Sequence, residues 1–234
     1  YNSTMIIPIG SIVNALAVIV GSLVGLGFGA FLPERIKTII FQVIGLFTLI
    51  LGAKMALETH HFLVLLISLV VGAIIGETLH IEKGLERISD SLKKKFKSKN
   101  ELFSEGLITA FLLYCIGSMT FVGAIEEGIN GDRTLLYTKS LMDGITSILL
   151  ASSLGSGVLI SSIPLLIFQS VLTWGAFYFE AYLPAEIITE LSAVGGILII
   201  AISLNILNIQ KIKVSNLLPS LFLVIPIYHL FTLL

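Results

Sequence analysis

Lys139 and Asp143 stand one helical turn apart in a stretch that is otherwise apolar or hydroxylic. Read as a helix, residues 138–154 place Lys139, Ser140, Asp143, Thr146 and Ser147 at spacings of three and four, on one face. Hydrocarbon cannot face such groups. A carboxylate inside a membrane span faces a partner or a wet cavity and is a functional candidate by default. Asp143 is therefore expected to bind a cation or proton, with Lys139 as its counter-charge or as an anion contact. The plainer alternative is an i,i+4 pair near the interface that only anchors the helix. Upstream, the stretch from Cys115 to Asp132 adds Ser118, Thr120 and Glu127. Asn14, Ser118, Thr120, Ser140 and Thr146 would supply neutral oxygens of the kind hard cations use. Asn14, one turn after Gly10 and Ser11, and Gln169, after Pro164, are candidate ligands that also fit ordinary interhelical hydrogen bonds.

Catalysis is not expected. Asp132 follows Gly131, but Ile129 and Asn130 spoil a Gly-x-Gly-Asp signature, and no second span aspartate accompanies Asp143 to complete a protease dyad. Cys115 is the only cysteine, so no internal disulfide can form, and four scattered histidines give no zinc-ligand spacing. No catalytic or metal-ligating residue is assigned and no cofactor is expected, apart from a coupling cation, proton or sodium.

The elements that must position these residues are set by hydropathy. The chain has 234 residues, 56% of them hydrophobic and 12% charged, with a mean hydropathy of +1.01. From Ile6 to Pro33 there is no Asp, Glu, Lys, Arg or His. A span needs roughly 20 apolar residues, and solid rather than alternating runs point to helices, not barrel strands. The expected fold is an all-α polytopic transmembrane helical bundle of about eight spans: 6–30, 38–57, 62–80, 106–125, 138–154, 157–179, 187–208 and 216–233. Residues 144–179 carry no charge and would make a helix of roughly 54 Å, so a break is expected at Leu154-Gly155-Ser156-Gly157. Tyr1 to Thr4, which precede Met5, read as an expression remnant, and no secretory signal is expected, because the first apolar run lacks a basic flank and is too long.

Lysine and arginine orient the chain. Lys83, Arg87, Lys93, Lys94, Lys95, Lys97 and Lys99 crowd one loop, which is expected to be cytoplasmic. Counting through eight spans from it leaves both termini outside. Within the loop, Ile81, Leu85, Ile88, Leu92 and Phe96 recur at helical spacing, as in an amphipathic helix on the inner leaflet with its lysines near anionic headgroups at residues 81–99; docking of a partner protein is the alternative.

An internal repeat organises the rest. Phe28 to Lys54 aligns without a gap on Phe179 to Asn205, matching Pro33 with Pro184, Thr38 with Thr189 and Gly45 with Gly196. Spans 1–3 would map onto spans 6–8 at an odd offset, which reverses their orientation and makes the repeat inverted, as in many secondary transporters. The expected segmentation is residues 5–80 as one three-helix unit, 81–104 as the basic loop, 105–156 as a central helical pair and 157–234 as the second unit.

At these residues the chain resembles the domain-of-unknown-function 554 family of bacterial and archaeal integral membrane proteins, of the YdfK/YqgA type. The resemblance covers nearly all of Met5 to Leu234. It rests on Asn14 four residues after Gly10, Leu32-Pro33-Glu34-Arg35-Ile36, Gly76-Glu77, Glu127-Gly128, Gly131-Asp132, Lys139-Ser140 with Asp143, Ser153-Leu154-Gly155, Pro164 with Gln169, Ser192-Ala193-Val194-Gly195-Gly196, and Asn216 with Leu218-Pro219. It implies transport without assigning a substrate. The expectation is a secondary transporter of a small solute or ion, not an enzyme, in the cytoplasmic membrane of a prokaryote. Its partners would be the lipid bilayer and a second copy of itself, and no nucleic acid. A channel, or a membrane scaffold or signalling subunit, are the alternatives.

Overall fold

The structure, a computed structural model, describes residues 7–31, 33–96, 98, 100–115, 118–182 and 184–233. Tyr1 to Thr4 and the repeat-hinge residues Leu32 and Leu183 lie outside them. Among the described residues the fold is all helical: α1 Ile9–Phe31, α2 Glu34–Ala56, α3 Phe62–Leu79, α4 Ile81–Lys95, α5 Phe103–Cys115, α6 Ser118–Asn130, α7 Thr134–Leu154, α8 Ser156–Ile160, α9 Ser162–Tyr182, α10 Ala185–Ile206, a 3-10 turn Val214–Leu217, and α11 Pro219–Thr232.

Among the described residues six segments are long and apolar enough to cross a membrane: Ile9–Gly29, Thr38–Ala56, Phe62–Leu79, Ser156–Ala176, Ala185–Ile206 and Val214–Thr232. A seventh is counted if α5 and α6, bent by 59° at a short break, make one broken span. This differs from the eight expected. The helix left over is α7, 21 residues long, whose Lys139, Asp143 and hydroxyl side chains dilute its hydropathy. The uncharged run after Gly144 breaks where expected: α7 stops at Leu154, and Gly155 turns the chain with φ +78, a conformation that disfavours a Cβ.

Contacts divide the chain into two units, Tyr1–Lys37 with Asn100–Pro184 and Thr38–Lys99 with Ala185–Leu234. In the first, α1 packs along α7 and α6 along α9. A Cβ on Gly21 or Gly25 would collide with the carbonyl oxygens of Gly144 and Ile148, and one on Gly29 would lie 2.8 Å from that of Ser152. Partner numbers rise together, so α1 and α7 are parallel. Gly128 against Thr173 and Ala176, with Phe121 edge-on to Phe168, makes α6 and α9 parallel too.

In the second unit the pairings are antiparallel. Gly45 meets Leu207 and Gly52 meets Gly196 across α2 and α10; Gly72 meets Ser220 and Gly76 meets Asn216 across α3 and the α11 segment. Its buried and half-buried polar groups bind backbone groups at helix ends and connections, some of which lack intrahelical partners. Glu190 of α10 accepts from the backbone N–H of His60 (2.8 Å) and His61 (3.2 Å) and from the Thr59 hydroxyl, just ahead of α3. Asn216 accepts from the N–H of Glu82 (2.8 Å) at the start of α4 and donates to Glu77 (2.6 Å). Asn205 makes both amide bonds to the Ile212 backbone, at 2.7 and 2.8 Å. The basic segment is helical as α4, with Ser89 buried and Ile88 and Phe96 exposed.

Candidate functional site

The α1–α7 seam decides what can meet inside the first unit. Without side chains at Gly21 and Gly25 the two backbones approach closely, and the α1 side chain that does project, Asn14, reaches Asp143. Asn14 Nδ2 donates to Asp143 Oδ2 at 3.0 Å and to Gln169 Oε1 of α9 at 3.2 Å. Lys139 Nζ donates to both carboxylate oxygens, at 2.7 and 2.9 Å. Asn14, Lys139, Asp143 and Gln169 are all buried. Lys139 and Asp143 form a closed ion pair with no net charge, and their i,i+4 spacing is that of one helical turn.

Below this network lies the broken span. Ser147 donates its hydroxyl to the Asp143 carbonyl at 2.7 Å, so its single proton is used, and the Tyr114 hydroxyl, 2.7 Å away, must be the donor between them. Tyr114 sits at the end of α5, and Thr120 in α6 donates to its carbonyl at 3.0 Å, bridging the bend. The sequence reading missed Tyr114. Its signal was available: a hydroxyl-bearing aromatic inside an apolar run, one residue before Cys115.

Other expected members stand elsewhere. Ser140 and Thr146 donate to the carbonyls of their own helix, Leu136 at 2.6 Å and Met142 at 2.8 Å, and neither hydroxyl joins the cluster. Ser118 opens α6, but its side chain lies outside the described residues. Glu127 is fully buried, yet its Oε1 accepts from the Gly10 N–H at 2.8 Å and from Arg133 Nε at 2.9 Å. It closes the start of α1, where the helix dipole favours a negative charge, rather than touching Asp143. Between α6 and α7, Asp132 accepts from the Thr134 backbone and hydroxyl, at 2.9 and 2.7 Å; these bonds hold its carboxyl below the usual aspartate range.

The cluster is not closed on all sides. Asn14 Oδ1, Gln169 Nε2 and the hydroxyl of Ser11 have no partner although their atoms are buried. The amide orientations follow from chemistry: an ionised Asp143 only accepts, so Asn14 must turn its NH2 toward it, and Gln169 must then offer its oxygen. What remains free is one amide acceptor and one amide donor. Among the described residues no group of three His, Cys, Asp or Glu is placed to hold a metal ion.

A family model described as "Protein of unknown function (DUF554)" matches residues 9–229. The chain belongs to the DUF554 family. Among its relatives, the "Uncharacterized membrane protein YdfK" of Bacillus subtilis (strain 168) is 35% identical over 232 residues, 96% of this chain and 98% of that one. The "Uncharacterized protein YqgA" of Escherichia coli (strain K12) is 33% identical over 224 residues, covering 94% and 95%. No solved structure matches. This DUF554 chain is thus a helical membrane protein whose polar centre is drawn from α1, α7 and α9, beside the α5–α6 break.

Proposed function

We propose that this DUF554 protein is a secondary transporter of a small solute or ion across the cytoplasmic membrane of a prokaryote, with Asn14, Lys139, Asp143 and Gln169 at its site. The observation that carries the reading is a buried ion pair cross-linked to two amides, beside a helix broken in mid-course. Ionisable groups at such depth are characteristic of solute and ion pathways, and discontinuous helices of substrate sites in transporters. An inverted repeat is part of the proposal. A two-fold axis in the membrane plane would set α2 antiparallel to α10 and α3 antiparallel to α11 in the second unit. In the first it would exchange the parallel pair α1, α7 with the parallel pair α9, α6. These pairings support it. Both termini outside, residues 81–99 on the cytoplasmic side against anionic headgroups, and coupling to a proton or sodium gradient complete the proposal.

The test begins with a thermal-shift screen of the purified protein against ions and small metabolites, since a ligand of the folded state raises its apparent stability. A compound that stabilises the protein is then followed by counterflow in proteoliposomes. Saturable counterflow that vanishes in Asp143→Asn and Lys139→Gln at matched expression is the expected result. Flux that never saturates indicates a channel. A wild-type response in both variants removes this centre from consideration.

A further inference from the structure

We infer that the ligand of this centre is a small uncharged molecule presenting a hydrogen-bond acceptor and donor side by side, of the carboxamide class, held by Gln169 Nε2 and Asn14 Oδ1. The inference rests on the proposed site and narrows its substrate. Two observations lead to it.

The first is charge. Both oxygens of Asp143 are engaged by Lys139, at 2.7 and 2.9 Å, and Oδ2 also by Asn14. Glu127, nearer the start of α1, is paired in charge with Arg133 through Oε1, while its Oε2 has no partner. An anion or cation added beside Asn14 and Gln169 would bring an uncompensated charge among side chains that are all buried, which is strongly unfavourable. A neutral ligand brings none.

The second is the pattern of free atoms. Asn14 and Gln169 are joined through one end of each amide, at 3.2 Å. The free acceptor and free donor are therefore the other ends of two groups joined at 3.2 Å, each one amide width from that bond. Both are fully buried and both lack a partner, a state that costs free energy until something pairs with them. A carboxamide edge offers a carbonyl to Gln169 Nε2 and an N–H to Asn14 Oδ1 at once. The unpartnered hydroxyl of Ser11, three residues before Asn14 on α1, can take a further polar group of a longer ligand. A site built around hydrogen-bonding groups also discriminates strongly, because a ligand that lacks one partner leaves a buried group unpaired.

Acetamide, acetate and acetamidinium test this, since they share one framework and carry charges of zero, minus one and plus one. Binding to the purified full chain is read by saturation-transfer NMR and by thermal shift. Acetamide is expected to bind at least roughly tenfold more tightly than either ion, and to lose roughly tenfold in Gln169→Leu, the scale of one buried hydrogen bond. Gln169→Met serves if the leucine variant does not fold. Acetate or acetamidinium binding as tightly as acetamide overturns the neutral class but leaves the site in place. An acetamide response unchanged in the Gln169 variants overturns the assignment of atoms. Silence of all three probes also overturns the inference, the free atoms then being matched by ordered water alone; the proposed site would still be judged by its own screen and counterflow.

Discussion

Both units of this protein bury carboxylates and amides in helices, but they use them differently. In the second unit Glu190 takes three donors from the segment ahead of α3, Asn205 makes both its amide bonds to one residue, and Asn216 joins the start of α4 to Glu77. In the first unit Asn14 and Gln169 each keep a free end. The contrast separates two reasons for burying polarity: closing backbone groups that lipid cannot solvate, and holding groups ready for something absent. Burial and residue type alone do not tell these apart, and the tally of unmatched atoms does so only together with position: Glu127 Oε2, on a carboxylate that closes the start of α1, and the Ser192 hydroxyl of α10 are unmatched as well.

The comparison breaks most visibly at Glu190. Glu190→Leu leaves the N–H groups of His60 and His61 and the Thr59 hydroxyl unmatched, and is expected to lower stability by about 3–5 kcal/mol, since each buried donor left unpaired costs about 1–3 kcal/mol. Thermal unfolding in detergent reads it, and a loss under about 1 kcal/mol would mean that water reaches the α3 start. Next comes the ion pair. Asp143→Leu alone should lose about 3 kcal/mol by stranding the Lys139 ammonium, whereas Lys139→Met with Asp143→Leu should recover most of it, because a buried pair replaced by apolar residues is often neutral. Recovery of stability without recovery of ligand response would mark the pair as functional rather than architectural.

The contrast is sharpest between two amides. Asn216→Leu removes two satisfied hydrogen bonds and is expected to destabilise by about 2 kcal/mol. Gln169→Leu removes one bond and one unmatched donor, and should stay within about 1 kcal/mol of wild type. Equal losses would erase the distinction drawn between the units. The smallest effect is expected at Lys213, whose bond to Glu77 at 2.8 Å is exposed: Lys213→Met should leave the unfolding midpoint within scatter, since solvent and salt screen such pairs.

Much of this was legible in the sequence. The helical class, the break at Gly155, the helix over residues 81–95 and the meeting of Lys139 with Asp143 follow from local rules: hydropathy, a glycine in a turn, and spacings of three and four. The Gly72 and Gly76 pair also reads locally as a close helix contact, and Ser220 and Asn216 lie against it. What was not legible depends on partners far along the chain. Glu127 reads as an intramembrane carboxylate with a chemical task and Glu190 carries no signal of one, and nothing near them in sequence reveals Gly10, His60 or His61 as the donors they serve. Asn14 and Gln169 were singled out as separate candidates, but their bond spans 155 residues. Thr146 failed for the opposite reason. It stands off the buried face that holds Lys139, Asp143 and Ser147, and its hydroxyl is satisfied on the Met142 carbonyl one turn back.

The seam of α1 with α7 also constrains motion. Gly21, Gly25 and Gly29 recur every four residues, and so do the residues whose carbonyls they face, Gly144, Ile148 and Ser152. A shift of one, two or three residues along the seam would drive a side chain into a carbonyl, while a shift of four sets two of the three glycines back against carbonyls. The pair behaves as a rail with notches about 6 Å apart, at 1.5 Å per residue, so that any travel of Asn14 past Asp143 along this line is a whole step or none.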